Sequence, residues 1–518
     1  MKEYFTQNSN NNKIEQNTIF MKNQKNAIVI GAGIGGISSA IRLAVMGFEV
    51  KVFEKNSYPG GKLSHFSKNG FHFDAGPSLF TQPSLIEELF LLANEPIDDY
   101  FQYEPLPISC KYFYEDGTVI NAYTNQDKFS QELEEKLGEE KGKLKKYLMQ
   151  SATTYNDIGS IFLNFSLHKF STIKKAPIRK ALTSVKASLL FNTLNGINKA
   201  SFKHPHTVQL FNRYATFNGS NPYKAPGMLS LIPHLDNNIG TFYPKGGMIS
   251  ITNALVKLAK KKGVKFHFEC PVSKIFLENG KATSVKVNGH VVPADKIVSN
   301  MDIYFTYKNL LQDEYSAKTI LKQERSSSAF IFYWGINGSF PELELHNIFF
   351  ASDYKAEFTS LFNSKTLYED PTIYINITSK CEPETQAPAG KENWFVMVNA
   401  PSNNGQNWED FYVKYKKVII NKLNRLLKTD IEPLIECEEI LTPESIQSKT
   451  ASYMGSLYGS SSNNKMAAFL RHPNFTNTIE NLYFVGGSVH PGGGIPLCLQ
   501  SSKITSELIR QDCYLEIK

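Results

Sequence analysis

The chain has 518 residues, 41% hydrophobic and 12% aromatic, with a net charge of +7, so it is a globular protein long enough for two or more domains. No uninterrupted apolar run approaches the roughly 20 residues that span a bilayer. Cys110, Cys270, Cys381, Cys437, Cys498 and Cys513 are scattered, without a CxxC or a His/Cys cluster; this argues against a metal site, a redox dithiol or a disulfide framework and fits a reducing cytoplasm.

Residues 1–24 are rich in Asn and Gln and lack a basic flank followed by an apolar run, so they are expected to be a disordered tail rather than a secretory signal, with Met21 as an alternative start. Ala27-Ile-Val-Ile30 then leads into Gly31-Ala-Gly-Ile-Gly-Gly36, an Ala/Ile/Leu run to Met46, and Phe48-Glu-Val-Lys-Val-Phe53 followed by Glu54. The pattern predicts a strand, a tight glycine turn, a helix and a second strand, a βαβ unit. In it Gly31 permits the turn, Gly33 lets the backbone approach a pyrophosphate, and Gly36 allows close packing of helix on strand. The helix amino end faces the phosphates. Glu54 lies where a carboxylate can accept hydrogen bonds from an unphosphorylated adenosine ribose. A second glycine pair follows in Pro59-Gly60-Gly61-Lys62, and then Asp74-Ala-Gly76-Pro77-Ser78.

Residues 84–157 read mainly as helices, with a Glu/Lys-laced solvated surface at 131–146. From Ile158 to Leu235 there is no acidic residue, while Lys169, Lys174, Lys175, Arg179, Lys180, Lys186, Lys199, Lys203, Arg213 and Lys224 carry more positive charge than the whole chain's net +7. Ile161, Phe162, Leu163, Phe165, Leu167, Phe170, Leu189, Leu190 and Phe191 are interleaved with them. Bases beside exposed apolar anchors suit the surface of an anionic membrane. An ordinary helical face stands as the alternative; nucleic acid is disfavoured, since no helix-turn-helix, zinc-finger or RNP pattern accompanies the charge.

An α/β pattern returns after Thr241, with a helix over 249–261, a strand over 264–268, a hairpin of 272–277 with 282–287, and a strand ending at Asn300. Aromatic segments at 330–334, 349–350, 374–377 and 394–398 predict the sheet of a second domain, equally able to wall a cavity for a long apolar ligand. The strand 481–485 is followed by Gly486-Gly487-Ser-Val-His490-Pro491-Gly492-Gly493-Gly494-Ile495-Pro496 and a helix from Leu499. Glycine density at such a switch lets backbone approach a flat ligand, and the helix amino end favours negative charge there.

The GxGxxG, the acid and the GGK turn resemble the superfamily of FAD-dependent amine oxidases and phytoene desaturases. The closing HPGGGIP loop resembles its carotenoid desaturases, and the pair FDAGPSLFT and VGGSVHPGGGIP is closest to the hydroxycarotenoid 3,4-desaturase branch. Ser488 stands where amine oxidases more often have an acid, which moves the match away from them. The resemblance covers residues 27–83, 241–302 and 448–509. It implies an α/β protein with a Rossmann-like FAD-binding domain in discontinuous segments (25–100, 240–305 and 442–518). To these it adds an α+β substrate domain (101–157 and 306–441) and a helical, membrane-facing basic segment (158–239). FAD would be held by Gly31, Gly33, Gly36, Glu54, Lys55, Gly60, Gly61, Lys62, Gly76, Pro77, Ser78, Val272, Gly486, Gly487, Gly494, Ile495 and Pro496.

The implied reaction is desaturation at C3–C4 of an acyclic, 1-hydroxylated carotenoid end, by a cytoplasmic enzyme held peripherally at the inner face of the cell membrane. Successive desaturation of phytoene is the alternative within the family. A flavin amine oxidase and a non-catalytic prenyl-binding escort protein are the alternatives outside it. No Ser/His/Asp triad spacing, HExxH or Walker loop is present, so no catalytic base is assigned; for His490, the one titratable residue of the closing loop, a structural role stands beside a chemical one. A single dinucleotide fingerprint speaks against NAD(P)H as hydride partner, and the sequence names no terminal electron acceptor.

Overall fold

The computed structural model describes residues 25–166, 168, 169, 187–464 and 471–517. The tail expected at 1–24 lies outside them, as do Leu167, Phe170, Lys174, Lys175, Arg179, Lys180 and Lys186 of the basic segment.

Strand β1 (Asn26–Ile30), helix α1 (Ile34–Val45) and strand β2 (Glu49–Phe53) form the βαβ unit. β1 is central in a five-stranded parallel sheet, with Lys296–Ser299 and then Leu482–Phe484 on one side and β2 and then Lys265–His267 on the other. Both of its faces are covered, which is why Ala27 to Ile30 are all apolar and buried. α1 packs against the helices Ile249–Lys261 and Ile495–Ile517, the latter joined to it by a 2.7 Å hydrogen bond between Ser38 Oγ and Ser502 Oγ. Strands from the two ends and the middle of the chain thus build one sheet. The expected hairpin after Val272 gains a third strand, His290–Pro293.

A second, seven-stranded sheet runs in the order Ile435–Leu441, Ser328–Ile336, Glu392–Ala400, Ile373–Ile377, His346–Phe349, Ile108–Phe113, Val119–Tyr123. Side chains alternate between its faces. Phe330, Phe332, Trp334, Trp394, Val396 and Val398 point one way, into a core shared with Trp408, Tyr415 and Ile419 of the helix Trp408–Leu427. Ile331, Tyr333, Phe395, Met397, Tyr374 and Ile348 point the other way and roof a chamber.

Two expectations need correction. The region 84–157 holds the helices Ser84–Leu92, Gln126–Leu137 and Lys143–Thr154, as expected, but Ile108–Phe113 and Val119–Tyr123 between them are strands that extend this sheet. These short segments contain β-branched and aromatic residues, pair with each other as a hairpin, and join the sheet where Tyr112 pairs with Ile348. The acid-free segment does not present all its apolar residues as anchors. Leu163 is buried, Phe162, Leu163 and Leu190 line the chamber, and the Arg213 side chain is mostly buried, 3.5 Å from Asp236 Oδ2. Phe191 is exposed. Among the described residues no helix is long and apolar enough to cross a membrane.

Candidate active site

The glycine turns of the first sheet and the roof of the second enclose a single chamber of about 1160 Å³. At its nucleotide-binding end Gly31 has φ of +95°, a conformation suited to glycine, and its N–H donates to Phe53 O at 2.8 Å. Gly33 caps α1 without a side chain, so the helix amino end stays open toward the chamber. Gly36 does not line the chamber: a Cβ there would stand 2.1 Å from the carbonyl oxygen of Gly31, so glycine is what lets α1 lie against the turn.

Glu54 lines the chamber and is nearly buried; its Oε2 accepts from Ala32 N–H at 2.7 Å and its Oε1 from Asn56 N–H at 2.9 Å. Each carboxylate oxygen keeps a further lone pair for a ribose hydroxyl. Val272 begins a strand beside it on the chamber wall. Gly60 and Gly61 have positive φ, and Gly60 N–H donates to Ala32 O at 2.7 Å, which lays the second glycine pair against the first. Both lysine ammonium groups bond to backbone carbonyls: the exposed Lys55 donates from Nζ to Ser448 O, and Lys62 Nζ donates to Ser456 O and Leu457 O. Burial pulls the Lys62 pKa down.

Gly76, Pro77 and Ser78 line the middle of the chamber. A Cβ at Gly76 would meet Lys62 O at 1.9 Å. The segment is held from behind by Asp74, whose carboxylate accepts from Met248 N–H (2.9 Å) and Ile249 N–H (3.2 Å) at the start of the helix Ile249–Lys261. Burial outweighs these bonds and pushes the Asp74 carboxyl up to about 6. Gly486, Gly487, Gly494, Ile495 and Pro496 complete the wall, with the closing helix beginning at Ile495 and its amino end at the chamber.

Some lining residues carry no local signal in the sequence. Asn300 sits between the two glycine loops, its side chain facing Gly33, Gly35 and Gly486. Arg471 is buried against Gly492 and donates to Tyr458 O at 3.0 Å. Ser488, in place of an acid, accepts from Ile303 N–H at 2.9 Å. His490 does not line the chamber; it is buried, bonded to Phe165 O at 3.0 Å, and desolvation drives its pKa down to about 3, so it is a neutral packing residue. The Cys498 thiol faces the chamber but is pushed up to about 11 by burial, which keeps it protonated and unreactive.

The residues fit an extended dinucleotide. A side-chain-free cradle at Gly33, the open end of α1 and an acid at the end of β2 supply sites for pyrophosphate and ribose, and Gly76–Ser78 with the Gly486–Pro496 loop would hold the flat ring system. FAD supplies a two-electron acceptor at that place.

Comparison with known proteins agrees. The family described as "Flavin containing amine oxidoreductase" matches residues 34–325. The chain is 52% identical to 1-hydroxycarotenoid 3,4-desaturase of Flavobacterium sp. (strain P99-3), over 94% of this chain and 99% of that protein. It is 34% identical to 4,4'-diapolycopene oxygenase of Methylomonas sp., over 94% and 98%. Among solved structures, an oxidoreductase from Methanosarcina mazei superposes with a TM-score of 0.62 at 15% identity, covering 94% of this chain and all of that one. Putrescine oxidase bound to putrescine gives 0.60 at 12%, over 94% and 99%; both share the fold. The chain belongs to the flavin-containing amine oxidoreductase family, as an FAD-dependent oxidoreductase of its carotenoid desaturase branch.

Proposed function

We propose that the protein introduces the C3–C4 double bond into the 1-hydroxylated end of an acyclic carotenoid. The observation that carries this reading is the continuity of the dinucleotide cradle with an aromatic and aliphatic chamber, roofed by Tyr333, Phe395, Met397 and Ile331 and floored by Phe162, Leu163, Phe217 and Ile232. The volume of about 1160 Å³ exceeds the roughly 300–1,000 Å³ of ordinary ligand pockets, as a chamber shared by the dinucleotide and the end of a polyene requires. The 52% identical relative is a 1-hydroxycarotenoid 3,4-desaturase, which supports the same reaction.

Loss of hydride from the allylic carbon leaves a cation delocalised into the polyene. The neighbouring C–H is then acidic enough to lose its proton to a weak base or water. The chain's own part is to align the polyene and exclude water, and no strongly basic residue is required. The test offers the FAD-loaded protein, in liposomes, 1-hydroxylycopene, 1-hydroxy-γ-carotene, the unhydroxylated parents, and phytoene. One added conjugated double bond, seen as a red shift, is expected first with the hydroxylated compounds. Stepwise conversion of phytoene with the hydroxylated pigments untouched would replace this reading by the phytoene desaturase one.

The basic segment is proposed to collect the substrate from an anionic membrane at the cytoplasmic face. Support comes from its charge and from its position: the same stretch supplies Phe162, Leu163 and Leu190 to the chamber and leaves Phe191 exposed. Changing Lys174, Lys175, Arg179 and Lys180 to Gln should weaken binding to anionic liposomes. Salt should do the same, since charge attraction is screened beyond a Debye length of about 10 Å at 0.1 M. Unchanged co-sedimentation would mean that this stretch is only a solvated face.

A further inference from the structure

The chamber is lined by residues with polar atoms that find no hydrogen-bond partner among the described residues: His346 Nε2, Tyr354 Oη, Arg213 Nε and Asn218 Oδ1. His346 and Tyr354 are 2% and 4% exposed. Buried polar atoms are nearly always satisfied, so several left open around one chamber mark a place that a ligand completes, and His346, Tyr354 and Arg213 supply three of them.

The hydrogen bonds behind His346 fix what it offers. The amide nitrogen of Asn376, which also donates to Leu345 O, lies 3.2 Å from His346 Nδ1, and Tyr374 Oη lies 2.8 Å from the same nitrogen. Nδ1 therefore accepts, and the proton sits on Nε2, turned toward the chamber. Burial and the nearby Arg213 charge drive the imidazole pKa down to about 3, so the ring stays neutral. Tyr374 Oη is in turn 2.8 Å from Ser78 Oγ. One tyrosine thus ties His346 to the Gly76–Ser78 segment at the cofactor end. Arg213 lies over the rings of Tyr112, Tyr214 and Phe217, so its free Nε–H is presented in an apolar setting.

Resting on the function proposed above, we infer that His346, Tyr354 and Arg213 form the pocket for the tertiary hydroxyl of the substrate, with His346 Nε2–H donating to the hydroxyl oxygen. The position suits the chemistry: the carbon bearing the hydroxyl is separated from the C3–C4 bond by a single methylene, so an anchor for it must lie beside the reacting bond. An imidazole one side chain away from Ser78 meets that requirement. A tertiary alcohol is both donor and acceptor, and the Tyr354 oxygen can take its proton. An end group without the oxygen leaves all three atoms open, which is the arrangement that discriminates strongly against it.

The experiment compares kcat/KM for a 1-hydroxylated acyclic carotenoid with that for its unhydroxylated parent, using FAD-loaded wild-type protein, Tyr354→Phe and His346→Phe in liposomes. The wild-type preference should shrink roughly 10-fold in Tyr354→Phe and roughly 30-fold or more in His346→Phe. Tyr354→Phe removes only an oxygen that no protein group binds, so it decides the matter even if His346→Phe fails to fold. An unchanged preference in Tyr354→Phe, with or without a folded His346 variant, overturns the pocket and leaves the proposed reaction standing. Wild-type protein that ignores the hydroxylated compound altogether overturns both.

Discussion

Gly33→Val is expected to give a folded protein that no longer holds flavin. Gly33 has φ of −72°, which any residue can adopt, and the atom nearest to a Cβ there is Asn300 Nδ2 at 2.6 Å, the free end of a side chain that can turn aside. The fold loses about 1 kcal/mol from placing a β-branched residue at a helix cap. The cradle loses far more, because both γ-methyl groups would occupy the space beside the open end of α1 and deny the pyrophosphate its backbone donors. Loss of about 3 kcal/mol of that interaction weakens affinity about 100-fold. The flavin-to-protein ratio after reconstitution and the melting temperature of the flavin-free form should separate the two effects. Full flavin occupancy would be fatal to the site.

Gly36→Ala should do the opposite, damaging the fold first. By helix propensity alone the change stabilises an α-helix by about 1 kcal/mol. Here the new methyl would stand 2.1 Å from Gly31 O and 3.3 Å from Asn300 Cβ. The first contact is with backbone that cannot rotate away, so α1 must move off the turn that it covers. A loss of about 3 kcal/mol or more is expected, with flavin lost as a consequence. The measurement is the urea midpoint of both proteins; a variant as stable as the wild type would mean that helix and turn do not approach so closely.

These two positions also show what could be read from the chain and what could not. Gly31, Gly33, Gly36 and Glu54 lie within one βαβ unit, and the chemistry of such a unit is set by local spacing. The closing loop announces itself likewise, by a glycine density that an ordinary connection has no use for. The strand Ile108–Phe113 forms a hairpin with Val119–Tyr123, but its other partner, His346–Phe349, is more than 200 residues away, and no local pattern announces the pairing that joins this hairpin to the large sheet. Phe162 and Leu163 read as anchors because a sequence gives amphipathicity without saying what the apolar side faces. Asn300, His346 and Arg213 have no motif at all; strand register and the chamber wall give them meaning.

The first sheet has a consequence for how the protein is made. Its central strand and first helix are made more than 400 residues before the edge strand Leu482–Phe484, which pairs with Lys296–Ser299, and the helix Ile495–Ile517, which packs on the first helix. Lys55 and Lys62 likewise wait for carbonyls almost 400 positions downstream. Until those residues are made the nascent chain carries an uncovered apolar helix face and an unpaired parallel strand edge, the two surfaces most prone to wrong association. Such long-range closure is slow to form. Flavin loading should therefore follow the synthesis of residues 482–517, and removing them would leave every glycine of the first fingerprint in place while taking away the walls that make it a site.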